Sequence, residues 1–218
     1  MSGRFDPGFE ALPASLPIFP LTGVLLLPRG TLPLNIFEER YLAMTADALK
    51  GERFIGMVQP QEGAGDAGDP PVYRTGCAGR MISFSETDDG RYLITLTGVA
   101  RFDITQELPK EQLYRRVVPA WEPYRDDLAP AAGTIDRARL LAALKPYLER
   151  HGIVAEWPAI EATPDDRLVT TVAMVAPFRP AEKQALLEAK DLAERARLLT
   201  ALIEMAAHDG ARAEGARH

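Results

Sequence analysis

Apolar and polar positions alternate with a period of two through most of the first half of the chain. Leu32, Leu34 and Ile36 alternate with Pro33, Asn35 and Phe37, as a strand requires. A short apolar run at residues 16–19, broken by Pro17 and Pro20, and another at residues 54–58 have the same β character. Between them Tyr41, Met44, Thr45, Ala48 and Leu49 fall at helical spacing, and Gly51 is the natural stop. The strongest local signal is a hairpin. Ile82 and Phe84 alternate with Ser83 and Ser85, and Asp89-Gly90 is expected to form a two-residue turn, because both residues tolerate positive φ. After it Tyr92, Ile94, Leu96, Gly98, Ala100, Phe102 and Ile104 hold one parity, with Arg101 and Asp103 on the other. A strand of this length containing a glycine is expected to bend around a barrel corner. Residues 114–121 supply one more strand.

The period then changes to that of helices. Residues 127–133 read as a linker, and Thr134 is the expected cap of a helix carrying Leu141, Leu144 and Leu148 on one face, kinked or split at Pro146 and stopped by Gly152. Thr163-Pro164-Asp165-Asp166 is a second start signal, followed by Leu168, Val169, Val172, Val175 and Ala176 at helical spacing. A short helix is expected over residues 181–188. Asp191 with Glu194 then resembles a capping box ahead of a stripe of Leu192, Leu199, Leu202 and Ile203. Strands first and helices second predict an α+β chain: an antiparallel β-barrel or sandwich over residues 14–125, a helical part over 134–208, and a disordered tail over 209–218. Residues 62–71, with Gly63, Gly65, Gly68 and Pro70-Pro71, read as a loop.

Composition narrows the function. With 218 residues and 46% hydrophobic content the chain can bury a sizeable core. The net charge of −6 opposes a broad nucleic-acid footprint, which needs a basic face. A single cysteine, Cys77, fits a reducing, cytoplasmic setting. The first 14 residues lack the apolar core of a secretory signal, and the run from Val24 to Leu27 is too short to span a membrane.

Reactive constellations are missing. The three histidines, His151, His208 and His218, have no metal-ligand spacing, so no metal or cofactor is expected. Ser83 and Ser85 read as the polar face of a strand, and Ser2 and Ser15 lie in no nucleophile motif. Cys77 reads as a buried, inert thiol. There is no phosphate-binding G-x-x-x-x-G-K-[ST] loop. Asp88-Asp89 reads as a turn, and Arg115-Arg116 as a solvated face with an ion pair rather than an anion site.

Four blocks in order carry a resemblance. Leu16-Pro17-Ile18-Phe19-Pro20-Leu21, then Leu32-Pro33-Leu34-Asn35-Ile36-Phe37-Glu38-Glu39-Arg40-Tyr41, then Gly76-Cys77-Ala78-Gly79-Arg80-Met81-Ile82, then Asp89-Gly90-Arg91-Tyr92 through Gly98-Val99-Ala100-Arg101-Phe102 resemble the N-terminal, substrate-binding domain of the Lon protease family. Pro177-Phe178 and residues 182–188 look like the short stand-alone bacterial members, so the resemblance spans roughly residues 14–208. Asn35 departs from a common histidine, and Leu27-Pro28-Arg29-Gly30 replaces the usual F-P-G turn. The resemblance implies a PUA-like antiparallel β-barrel followed by a helical bundle, and a non-catalytic module without Lon's ATPase or Ser-Lys protease machinery. It implies unfolded or client polypeptides as partners, with full Lon protease as a further one, and an accessory place in protein quality control.

The leading expectation is capture of exposed apolar segments in a groove or on a sheet edge. Leu25, Leu26, Leu27 and Phe37 are the candidate contacts, unless they are simply core. Glu38 and Arg40 are expected to pair and fix the strand-to-helix corner. Arg101 is expected in a structural ion pair, and Gly90 in the hairpin turn. The alternative function is a small RNA-binding module, suggested only by the PUA-like fold.

Overall fold

The computed structural model describes residues 7–61, 69–130 and 133–215, with side chains described as far as residue 206. Six strands, β1 (Leu16–Pro20), β2 (Thr31–Ile36), β3 (Phe54–Val58), β4 (Thr75–Glu86), β5 (Tyr92–Glu107) and β6 (Arg116–Ala120), lie in the order β2-β5-β4-β3-β1-β6. β6 pairs again with the far half of β5, from Asp103 opposite Ala120 to Glu107 opposite Val117, so β5, β4, β3, β1 and β6 close into a ring. The class is α+β as expected, but the ring is not wholly antiparallel. β1 runs parallel to β3, with Ile18 opposite Gly56. Parallel neighbours need a crossover, and here β2 and helix α1 (Glu39–Lys50) provide it.

β2 stands outside the ring. It pairs with the first half of β5, from Thr31 opposite Thr97 to Ile36 opposite Tyr92. β3 covers β4 only from Cys77 to Arg80. The outer part of β4, the start of β5 and β2 therefore form a three-stranded arm that continues past the ring. Register shifts between Ala78 and Gly79 and between Met81 and Ser83 mark where ring becomes arm, as bulges that bend and twist a strand do. At the tip the Thr87 amide donates to the Arg91 carbonyl at 2.9 Å. The turn thus has three residues, Asp88, Asp89 and Gly90, rather than two. Among them only Gly90, at φ 78°, takes the left-handed conformation, so Asp89 is spared the strain that the two-residue turn would impose.

The helices are α2 (Arg137–Arg150), α3 (Trp157–Ala162), α4 (Asp165–Val175), α5 (Pro180–Glu188) and α6 (Leu192–Gly215). Several local expectations shift. Asp136, not Thr134, caps α2, its carboxylate accepting from the Arg139 amide at 3.1 Å. The buried face is Leu140, Leu144 and Tyr147, one residue round from the expected stripe. Pro146 interrupts nothing, because it lies on the exposed face, where water can take the carbonyl it leaves unbonded. Val175 points outward, and Ala173 is buried in its stead. α6 runs on through Gly215 into the segment expected to fray, in keeping with its Ala, Glu and Arg content. The expected loop glycines Gly63, Gly65 and Gly68, with His208, His218 and Ser2, lie outside the described residues or side chains.

One core cluster unites the two halves, with Leu26, Ile36, Tyr41 and Met44 packing in the same cluster as Leu140, Leu144, Leu199 and Ile203. A smaller one, including Leu16, Ile18, Phe102 and Val117, packs among the ring strands. The turn after Leu27 is pressed against Gly98. The Arg29 amide donates to the Gly98 carbonyl, and the Gly98 amide to the Gly30 carbonyl, both at 2.8 Å. A Cβ at position 98 would lie 2.0 Å from the Leu27 carbonyl oxygen. Gly98→Ala is therefore expected to destabilise the chain by about 2–3 kcal/mol through overpacking against backbone, read as a lowered urea midpoint. An unchanged midpoint would show that this turn is not held against β5.

Candidate functional site

Arg101 sits on the outward parity of β5, yet only 4% of it is exposed. A buried guanidinium needs a partner for each donor, and all are supplied. Asp127, in the 3-10 turn Glu122–Leu128 after β6, takes the fork: its Oδ2 accepts from Arg101 Nε at 2.9 Å and its Oδ1 from Nη2 at 2.8 Å. Oδ2 also accepts from the Arg101 main-chain amide at 2.9 Å. The remaining donors go to carbonyls at the end of α5: Nη1 to Leu187 at 3.1 Å and to Ala189 at 2.6 Å, Nη2 to Lys190 at 3.3 Å. The Tyr124 ring lies against the guanidinium, 4.7 Å from its carbon.

Arg195 of α6 caps the same helix end, its Nε donating to the Leu186 carbonyl at 2.9 Å and its Nη2 to the Ala189 carbonyl, shared with Arg101, at 3.4 Å. A helix leaves its last carbonyls unpaired and carries a partial negative charge there. Two arginines from different elements thus cap α5. Burial, with Arg101 nearby, pushes the Arg195 guanidinium down to about 10. Burial works against the charge on Arg101 too, but the hydrogen bonds and charge of Asp127 outweigh it and raise its pKa.

Beside this clasp lies a cleft of about 610 Å³ whose walls include Arg29, Tyr124, Asp166, Arg167, Met174 and Lys190. Arg29 reaches across it to the carbonyls of Asp127 and Ala129. Cys77 is fully buried under the clasp, and burial pushes its thiol far above the usual range. Among the described residues no group of histidine, cysteine or carboxylate side chains is placed to hold a metal ion.

The arm presents a different surface. Phe37 is 64% exposed, Ile82 61%, Leu93 44% and Phe84 40%, the last edge-on to Tyr92 with ring centres 5.0 Å apart. A shallow groove of about 450 Å³ runs between Pro33, Asn35, Ser83, Ser85, Leu93 and Thr95.

Of the candidate contact residues, only Phe37 reaches this surface. Leu25, Leu26 and Leu27 are at most 3% exposed and form part of the main core. They lie between β1 and β2, where the turn docks on Gly98 and directs the leucines inward. Glu38 and Arg40 pair at 2.8 Å at the corner between β2 and α1, with the Arg40 guanidinium 4.5 Å from the Tyr41 ring. Arg115 pairs with Glu107 at 2.7 Å and Arg116 donates to Ser15, so these arginines serve the protein's own surface. Sequence reasoning missed Asp127, because it lies in a segment without periodicity, and Arg195, because it interrupts an apolar stripe. It missed Ile82, Phe84 and Leu93 as surface residues because alternation alone reads them as a strand face.

The model of the ATP-dependent protease La (LON) substrate-binding domain matches residues 15–205. The Lon protease of Anaeromyxobacter dehalogenans is 26% identical over 197 residues, which cover 89% of this chain and 23% of that protein. The Lon protease of Flavobacterium johnsoniae is 30% identical over 103 residues, 47% of this chain and 13% of the relative. The chain therefore spans only about a quarter of the first of these relatives. Among solved structures, a Lon N-terminal domain protein from Xanthomonas campestris superposes with TM-score 0.61 at 23% identity, covering 86% of this chain and 97% of that one. The N-terminal domain of the Mycobacterium avium complex Lon protease gives 0.62 at 19% identity, covering 87% and 97%.

Arg101→Met would leave Asp127 buried and unpaired and the α5 carbonyls short of a cap. It is expected to cost about 3–5 kcal/mol in denaturant unfolding, with Arg101→Lys recovering little, since an ammonium cannot fork onto a carboxylate. A cost within experimental error would remove the clasp from the account. Cys77 is expected to resist iodoacetamide in the folded chain and to react on unfolding, with rapid native labelling as the contrary result.

Proposed function

The chain belongs to the family of ATP-dependent protease La (Lon) substrate-binding domains, and from that premise we propose that it is a non-catalytic recognition module for unfolded or client polypeptides. The observation that carries this reading is the arm. Four large apolar side chains stand exposed on or beside this one extension of the sheet: Ile82 and Phe84 on β4, Leu93 on the opposite face of β5 from Phe84, and Phe37 just past the end of β2. Clustered exposed apolar surface marks interaction sites. Covering it yields roughly 25 cal/mol per Å² of apolar area before the costs of association.

The matched segment is one whose relatives carry it as part of a longer Lon protease. Work alongside full Lon, in protein quality control and in the cytoplasm, belongs to the same proposal. Among the described residues no helix is long and apolar enough to cross a membrane. The net charge of −6 works against the RNA-binding alternative.

Fluorescence anisotropy of a labelled, permanently unfolded polypeptide, with a labelled RNA in parallel, tests the reading. Saturable polypeptide binding that survives moderate salt is expected, with none to RNA. Phe37→Ser is expected to weaken it about fivefold, close to 1 kcal/mol, without moving the urea midpoint. Absence of polypeptide binding, or binding to RNA alone, would overturn the proposal.

A further inference from the structure

The arm has two open edges, and they differ in one decisive way. In an antiparallel pair, residues alternate between those that exchange main-chain hydrogen bonds and those that turn these groups away. The Thr87–Arg91 bond sets the phase. Counting back by twos in the β4–β5 register, Ser85 with Leu93 and Ser83 with Thr95 are the bonded pairs. Phe84 and Glu86 therefore turn their N–H and C=O groups to the outer edge of β4, while Tyr92 and Ile94 turn theirs to β2. The Gly98 bonds to Arg29 and Gly30, on the β2 side of β5, agree with this phase.

Across β2 the same counting faces Leu34 and Ile36 toward β5 and turns Pro33 and Asn35 outward. The missing N–H of Pro33 thus falls on the outer edge of β2 and blunts it, a common guard against strand addition. The edge of β4 has no such guard. β3 ends its pairing at Phe54 with Arg80, and the last link is the Met81 amide to the Arg53 carbonyl at 2.8 Å. Beyond it, among the described residues, no strand lies against residues 82–86 on that side. Ile82 and Phe84 stand exposed along this stretch.

We infer that the open edge of β4, over residues 82–86, binds an extended polypeptide by adding it to the sheet as a further strand, in line with β3. This deepens the recognition reading and rests on it. The expected occupant is an apolar, cationic segment. Arg91 is taken by Asp89 at 2.9 Å, which leaves Glu86 and Asp88 without an ion pair among the described residues at the tip end of the slot. A basic residue in the occupant is complementary to that end. Main-chain pairing holds the segment, while Ile82 and Phe84 cover its apolar side chains.

The probe is a capped, fluorescein-labelled peptide of about seven residues, enough to pair along the slot at roughly 3.4 Å per residue. It alternates valine and threonine and ends in two lysines. Wild-type chain is expected to bind it saturably. Phe84→Pro removes an outward amide, as Pro33 lacks one in β2, together with the exposed ring, and is expected to lower affinity at least tenfold. Because that variant can perturb the strand, a second arm keeps the protein unchanged and N-methylates alternate amides of the peptide, with the same loss expected. Exchanging the lysines for glutamates is expected to weaken binding about fivefold, with Glu86→Lys reversing the preference. Equal binding of the N-methylated peptide would overturn strand addition. So would a dimer in sedimentation equilibrium that Phe84→Pro dissolves, since the occupant would then be a second copy of the chain. If both peptides bind alike and unfolded polypeptide still binds, the edge inference fails while recognition stands. If unfolded polypeptide binds to no variant, both fail.

Discussion

A guanidinium taken out of water is stable only if its charge is matched and every donor is occupied, and Arg101 meets both conditions by drawing on separate parts of the chain. It is anchored on β5, the strand that pairs with β2, β4 and β6. Its charge is matched by Asp127, 26 residues on, and its spare donors reach carbonyls up to 89 residues away, at the end of α5. Arg195 meets the same helix end from α6. The clasp thus fixes where the helical half sits on the ring. The apolar core shared by the two halves supplies most of the favourable free energy, but apolar packing is not directional, whereas a forked ion pair admits few alternative arrangements.

With the helices committed to one side, Ile36, Ile94 and Leu96 of the arm join the shared core, while its other face, with Leu93, and the free end of β4 are left uncovered. β5 belongs to both structures. Its far half closes the ring with β6, and its near half carries β2 and the end of β4. Gly98 lies near the changeover, where the turn after Leu27 presses close enough to exclude a side chain. The hydrophobic and polar parities of β5 are continuous through both halves, but their meaning changes. In the ring one face meets the core and the other meets the clasp. In the arm, Leu93 on the second face meets solvent.

Much of this was legible from periodicity. The strands of the first half, the helix after β2 and the hairpin all follow from spacing, because local burial dictates those patterns. The exceptions share a cause. Arg101 reads as a surface cation on the polar parity of its strand, and its burial depends on Asp127 and α5, which are distant in sequence. Leu25, Leu26 and Leu27 read equally well as a sticky turn or as core, and only the docking of that turn on Gly98 decides between them. Thr134 and Asp136 are both competent caps, and the choice falls to the one whose carboxylate meets the Arg139 amide. The open edge of β4 was not legible at all. It depends on where β3 stops, and pairing partners are not written in a single strand's alternation.

Hydrogen–deuterium exchange of the full chain, with and without a saturating unfolded polypeptide, tests the central claim most directly: that the clasp holds the helices aside and the arm does the binding. New protection confined to residues 82–96 and 31–37, with the ring, the cleft and α5 unchanged, is the result this account predicts. Protection centred on the cleft beside Arg101 and α4, with the arm exchanging as before, would contradict it.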